Sequence, residues 1–191
     1  MAILVLGGAG YIGSHTVAAL IDKGEEVVII DNLETGYEAA VHKKAKFYQG
    51  DIRNRQFVDE VLDKEKIEAV IHFAAFKAVG ESVAQPIMYY RNNLVSFLNI
   101  LEVAKNHGGC NVLFSSSATV YGEAENLPVT EQTPRLPATS PYGNTKQMCE
   151  DIIRDVVKAT AGTEGEIKGI ALRYFNPIGA HPSALIGELP R

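Results

Sequence analysis

Tyr142 and Lys146 stand four residues apart in Tyr142-Gly143-Asn144-Thr145-Lys146, so on a helix they share a face and their heads can converge on one ligand. A free phenol, with a pKa of ~10, is a poor base near neutrality, and bringing it to ~7 requires about 4 kcal/mol of selective stabilisation of the phenolate. A lysine ammonium within a few ångströms contributes energy of that order at an effective dielectric of about 20, and an oxidised nicotinamide would add a second positive charge. Such a pair can exchange a substrate hydroxyl proton near pH 7. Ser117 closes the run Ser115-Ser116-Ser117 after Asn111-Val112-Leu113-Phe114. Its hydroxyl would hydrogen-bond the same substrate oxygen and position the proton. The competing account is an ordinary Tyr and Lys pair on a helix surface, and the rest of the chain has to decide between them.

A second stretch, Gly7-Gly8-Ala9-Gly10-Tyr11-Ile12-Gly13, follows the apolar run Ile3-Leu4-Val5-Leu6. Glycines at 8, 10 and 13 fit G-x-G-x-x-G, and those at 7, 10 and 13 fit G-x-x-G-x-x-G. Both forms let backbone approach a pyrophosphate at a helix N-terminus, where free N–H groups and the helix dipole favour an anion. Glycine-rich turns also serve simply to bring a helix close to a strand. Asp31 discriminates: it stands 18 residues beyond Gly13, after Val27-Val28-Ile29-Ile30. A carboxylate there accepts hydrogen bonds from adenosine ribose hydroxyls and repels a 2′-phosphate, which favours NAD over NADP; the alternative is an aspartate that caps a loop. Asp51 either accepts from an adenine amino group, with Ile52 packed on the ring, or closes an Asx turn or caps the next helix. Lys77, after the small residues Ala74 and Ala75, either donates to ribose hydroxyls or is a solvated lysine.

Strand patterns at 3–6, 27–30, 45–49, 69–73, 111–114 and 167–173 alternate with helix patterns at 11–23, 56–64, 86–106 and 142–161. This alternation predicts an α/β fold with a doubly wound parallel sheet, which binds ligands at the carboxyl ends of its strands. Asp31, Asp51, Lys77, Ser117 and Asn176 all fall there. Prolines at 128, 134, 137 and 141 mark a long polar connection, read as a functional loop over the site. In the helix at 86–106 the apolar set Leu94, Val95, Phe97, Leu98, Ile100, Leu101 and Val103 is too broad for one core-facing stripe. A homodimer through helices 86–106 and 142–161 is therefore expected, the alternative being burial within one chain.

With 191 residues, 46% apolar and 21% charged, the chain is long enough for one substantial core. A net charge of −5 argues against nucleic-acid or anionic-membrane partners, since no basic cluster offsets it. No stretch approaches the roughly 20 apolar residues of a membrane span, and Met1-Ala2-Ile3 enters a strand without a basic leader; a cytoplasmic protein is expected. Cys110 and Cys149 lack C-x-x-C spacing and the five histidines include no i, i+4 pair, so no metal site is expected.

Gly7-x-x-Gly10-x-x-Gly13, Ser115-Ser116-Ser117-Ala118-Thr119-Val120-Tyr121-Gly122, Tyr142-x-x-x-Lys146 and Leu172-Arg173-Tyr174-Phe175-Asn176-Pro177 together resemble the extended short-chain dehydrogenase/reductase family, over nearly the whole chain. The resemblance implies that Gly7, Gly10, Tyr11, Ile12, Gly13, Asp31, Asn32, Asp51, Ile52, Phe73, Lys77 and Asn92 hold NAD together with Tyr142 and Lys146. It implies that Ser117 and Tyr142 face a sugar and that Asn176 binds the diphosphate region of a UDP-hexose. The implied activity is redox-neutral inversion at sugar C4: Tyr142 takes the hydroxyl proton, hydride leaves for NAD, and it returns to the opposite face of a 4-keto sugar. Dehydratases of similar fold carry an Asp-Glu pair after the central hydroxyl residue, where this chain has Ala118 and Thr119, which disfavours loss of water. Two rivals stand beside this reading: an NAD-dependent nucleotide-sugar dehydrogenase and a truncated, non-catalytic NAD-binding module. Because the family continues past Ile186-Gly187-Glu188 into a smaller substrate domain, residues 1–176 are expected to be a Rossmann-like NAD-binding domain and 177–191 only the start of the second.

Overall fold

The computed structural model describes residues 1–124 and 127–189. Six strands, β1 (Ala2–Leu6), β2 (Glu26–Asp31), β3 (Lys46–Gln49), β4 (Ile67–His72), β5 (Cys110–Ser117) and β6 (Ile167–Tyr174), form one parallel sheet in the order β3-β2-β1-β4-β5-β6. The chain runs outward from β1 to β3, then returns across β1 to build β4 to β6. That reversal leaves a crevice beyond the carboxyl ends of β1 and β4, where such sheets take their ligands.

The helices are α1 (Tyr11–Asp22), α2 (Arg55–Lys64), α3 (Val79–Ala84), α4 (Pro86–Asn106) and α5 (Pro141–Thr160). Alternation of side chains along each strand sorts the core into two layers. Leu4, Leu6, Val28, Ile30, Val70, Val112 and Phe114 face one way, against Val58 and Val61 of α2, Phe97, Ile100 and Leu101 of α4, and Cys149 and Ile153 of α5. Val5, Val27 and Ile29 face the other way, against Val17 of α1. Each fully buried large apolar side chain contributes about 1.5–3 kcal/mol, so the α2, α4, α5 layer carries most of the stabilisation.

Local signals set the helix ends. Gly24, at φ +86°, closes α1 in the left-handed conformation that glycine tolerates best. Pro86 begins α4, as expected, and Ser140 caps α5 by accepting from Gly143 N at 3.1 Å. The cap of α2 is Asn54, whose side chain accepts from Phe57 N at 3.2 Å, rather than Asp51. β5 runs on through the three serines, so all of them belong to the sheet. Helix α3 was not expected. It is one short turn-and-a-half containing Gly80, too brief to show an apolar period, and its Ser82 Oγ donates to Val79 O at 2.6 Å.

Candidate functional site

At the carboxyl end of β5, Ser117 caps a 3-10 turn (Ala118–Tyr121) by accepting from Thr119 N at 3.2 Å. The first turn of α5 brings Tyr142 to it, and the Ser117 hydroxyl lies near enough to the Tyr142 phenol to pull its pKa down. One helical turn on, Lys146 is 4% exposed and donates to Ser115 O at 2.7 Å. Its ammonium lies 4.9 Å from the Phe114 ring centroid and 5.7 Å from that of Tyr142. The three residues singled out for chemistry are thus brought together.

Their electrostatics differ from expectation. Burial pushes the Tyr142 phenol above its ordinary value, with only the Ser117 hydroxyl pulling down. Burial also lowers Lys146 to about 8. The ammonium donates to Ser115 O and lies 5.7 Å from the Tyr142 ring centroid, and burial of the phenol outweighs the pull of Ser117, so the protein groups alone do not bring the phenol toward neutrality.

The glycine turn follows β1, two strands from β5 at the same carboxyl edge of the sheet. Gly7 adopts φ +82°, and a Cβ there would come within 2.8 Å of Ala74 N; at Gly13 it would come within 2.1 Å of Gly7 O. Only glycine permits this closeness of turn, helix and the loop after β4. Gly10 precedes α1 with no side-chain cap, which leaves the first-turn N–H groups of Tyr11, Ile12 and Gly13 facing the crevice end without a side-chain acceptor. Tyr11 OH donates to Gly179 O at 2.6 Å.

Asp31 stands at the end of β2, 8% exposed, accepting from Ala9 N at 2.9 Å and Leu33 N at 2.8 Å. It therefore closes the glycine turn as well as facing the crevice, and a carboxylate with about four acceptor positions keeps room for ribose hydroxyls. Asn32 donates to Glu34. Asp51 forms the Asx turn, accepting from Arg53 N at 2.8 Å, and receives the Arg53 guanidinium, which holds its carboxyl below the usual range. The turn alternative is therefore observed. Ile52 is buried in the main core. Phe73 meets Tyr174 edge to face at 6.3 Å between centroids. Lys77 pairs with Glu188 at 3.3 Å on the surface. Asn92 donates to Asn93 Oδ1 at 3.0 Å, and Asn176 is exposed just beyond β6.

Several supporting residues carry no motif of their own. Asn93 is buried, accepts from Phe76 N at 2.9 Å and donates to Phe76 O at 3.1 Å and Thr145 Oγ1 at 3.2 Å, joining the loop after β4 to α5. Asn99 donates to Ile52 O and Arg53 O and pins the Asp51 loop. Ser82 accepts from Tyr142 N at 3.2 Å. His72, packed against both Phe97 and Phe114, is held neutral by burial, which lowers it to about 3. Among the described residues no group of three or more His, Cys, Asp or Glu could hold a metal ion, and no helix is long and apolar enough to cross a membrane.

Comparison with known proteins adds three facts. The model of the NAD dependent epimerase/dehydratase family matches residues 3–189. The chain is 51% identical to UDP-glucose 4-epimerase of Bacillus subtilis, over 100% of this chain and 57% of that protein, and 47% identical to UDP-glucose 4-epimerase 2 of Arabidopsis thaliana, over 98% and 55%. The crystal structure of UDP-glucose 4-epimerase from Bifidobacterium longum in complex with NAD+ and UDP superposes with a TM-score of 0.92 at 46% identity, over 98% of this chain and 57% of that one. The chain thus spans just over half the length of these relatives.

Proposed function

The chain belongs to the NAD dependent epimerase/dehydratase family, and from that premise we propose that the protein interconverts UDP-glucose and UDP-galactose at sugar C4 with bound NAD. The observation that carries this reading is the meeting of Ser117, Tyr142 and Lys146 at the same sheet edge as a glycine turn that no side chain could occupy. The similar proteins named above are UDP-glucose 4-epimerases, and the Bifidobacterium longum structure holds NAD+ and UDP.

The residues present fit NAD. Gly7, Gly10, Tyr11, Ile12 and Gly13 would cradle its diphosphate, Asp31 and Asn32 its adenosine ribose, and Asp51, Ile52, Phe73, Lys77 and Asn92 the rest of the adenosine side and loop, with Tyr142 and Lys146 at the nicotinamide end. NAD when bound accepts a hydride from C4 and gives it back. Tyr142 takes and returns the C4 hydroxyl proton, Ser117 holds that oxygen in line, and Lys146 supplies the positive charge that favours the phenolate. Asn176 would engage the diphosphate of the sugar nucleotide, so affinity resides in the handle while the hexose turns.

We read residues 1–176 as the NAD-binding domain and the segment after it as the beginning of a substrate region. Contacts of Tyr11 with Gly179 and Lys77 with Glu188 support this, since they bring that segment over the crevice. A homodimer through α4 and α5 is supported by apolar side chains left exposed on both, Ile87 and Leu98 on one and Met148 on the other. The two cysteines are free thiols, which suits a cytoplasmic location.

Incubation of the protein with UDP-galactose should yield UDP-glucose without added reductant, as read by anion-exchange chromatography. Stoichiometric NADH would instead indicate a dehydrogenase, and NAD binding without turnover a binding module.

A further inference from the structure

Tyr142, Lys146 and Glu150 recur at i, i+4 and i+8 on α5, and each meets one of the three consecutive serines of β5. The Tyr142 phenol faces the Ser117 hydroxyl, which pulls its pKa down, the Lys146 ammonium donates to the Ser115 carbonyl, and Ser116 Oγ donates to Glu150 Oε1 at 2.6 Å. Glu150 is 9% exposed, and a buried carboxylate needs partners. Arg173 of β6 supplies them, donating Nε to Oε1 at 2.9 Å and Nη2 to Oε2 at 2.8 Å, with Arg135 Nη1 at 3.5 Å from Oε2. The Arg173 guanidinium also lies 4.8 Å over the Tyr121 ring, in the 3-10 turn that continues from Ser117. Ser117 is therefore flanked by two tethers, Ser116 on one side and Tyr121 on the other, and both lead to the same ion pair.

A buried ion pair is weak evidence of stability, since well-packed apolar residues often do as well. A geometric role accounts for it better. We propose that Glu150, clamped by Arg173, is a positioning residue: it fixes the end of β5 against α5 so that the Ser117 hydroxyl stays on the Tyr142 phenol. The bidentate, stacked geometry of Arg173 suits this work, because a lysine would offer a point charge without the fork. Glu150 itself touches neither reacting atom and acts through Ser116 and Ser117. Its kinetic consequence rests on the epimerase reading.

The test uses Ser116→Ala, which removes one tether while leaving Glu150 and Arg173 paired, and Ser116→Thr, which restores the hydroxyl. A misplacement of well under 1 Å at a reacting group is worth about tenfold in rate. Ser116→Ala should therefore lower kcat about tenfold while KM for UDP-galactose stays within about twofold, and Ser116→Thr should recover kcat. A second readout needs no turnover. With ¹³C-labelled tyrosine and the Tyr142 signal assigned by its loss in Tyr142→Phe, the Tyr142 titration midpoint should rise in Ser116→Ala, because the Ser117 hydroxyl that pulls it down is loosened. The other titratable groups facing it, Lys146 on its own helix and Tyr89 on α4, are untouched. Wild-type kcat and an unmoved Tyr142 midpoint in Ser116→Ala would overturn the proposal, as would a Glu150→Gln variant that loses only thermal stability. If the wild-type protein does not interconvert the two sugars, the epimerase reading fails and the Tyr142 midpoint still decides the positioning role.

Discussion

Lys146 and Lys77 carry the same ammonium to the same end of the sheet, into opposite surroundings. Lys146 is 4% exposed, has no carboxylate partner among the described residues and is lowered to about 8 by burial. The Lys77 side chain is 74% exposed and pairs with Glu188 in solvent. The contrast extends to their neighbours. Around β5, α5 and β6 the polar side chains are buried and joined over long sequence separations, Ser116 to Glu150 and Arg173 to Glu150. On the other side of the crevice Asp51 is engaged by Arg53 two residues on and Lys77 by Glu188 in solvent, although Asp31 and Asn93 there are buried. The proton-handling half is held rigid by groups that cannot move independently, whereas the nucleotide half keeps groups that can exchange a protein partner for a ligand.

The largest effect expected from this contrast is on chemistry. Tyr142→Phe should lower kcat by about 10²–10⁴-fold while NAD co-purifies at wild-type occupancy, measured by absorbance of the released nucleotide. Full activity in that variant would show that the buried half is merely structural.

Next comes the stability consequence of burying an unpaired lysine. The folded value near 8 lies below the ordinary 10.5, so the unfolded chain holds the proton more tightly. The penalty is present in full below pH 8 and is relieved as pH rises from 8 to 10.5. Against Lys146→Met, wild type should gain about 3 kcal/mol across that window, read from denaturant unfolding at several pH values. A constant difference would mean that Lys146 is not desolvated.

Two carboxylates sharpen the comparison at lower amplitude. Burial pushes Glu150 up, yet Arg173 and Ser116 hold it below 4.5; Arg53 holds Asp51 below 3.8. Each depressed group contributes stability above its unfolded value that is lost as pH falls through its folded one. Arg53 is two residues from Asp51, however, and part of that pairing survives in the unfolded chain. Glu150→Gln should therefore flatten the fall of stability below pH 4.5 more than Asp51→Asn does, in acid-unfolding curves followed by circular dichroism.

The same division governs what could be read in advance. Tyr142 and Lys146 were legible because an i, i+4 spacing is local, and Ser117 because its serine run ends an apolar strand. A doubly wound parallel sheet with its ligand end at the strand carboxyl termini followed from the alternation of elements. Glu150 was not legible as a partner of Ser116, 34 residues away, or of Arg173, 23 away; these groups meet only when the sheet closes. Asp51 was legible as an Asx turn, the arrangement its bond from Arg53 N makes, whereas Asp31 was legible as a strand-end carboxylate but not as the group that ties down Ala9 N, 22 residues earlier in the chain. The burial that raises Tyr142 was not legible, because an i, i+4 spacing places two heads on one face without saying how deeply the sheet and helix bury them.

The smallest effect belongs to Lys77. Its pair with Glu188 lies in solvent and joins residues 111 apart, so side-chain entropy and screening leave it about 0–1 kcal/mol. Lys77→Ala should shift stability by less than that, far less than Lys146→Met does, in denaturant unfolding. If Lys77 instead turns from Glu188 to ribose hydroxyls when the nucleotide enters, the loss should appear in affinity. Titration of nucleotide-free Lys77→Ala with NAD should then give a Kd raised about 10–150-fold, the equivalent of one hydrogen bond from a charged donor. Adding salt to wild type weakens the Glu188 pair and should leave NAD affinity equal or better. A Kd unchanged by the substitution would keep Lys77 as a surface charge and confine the cofactor's hold to the glycine turn and Asp31.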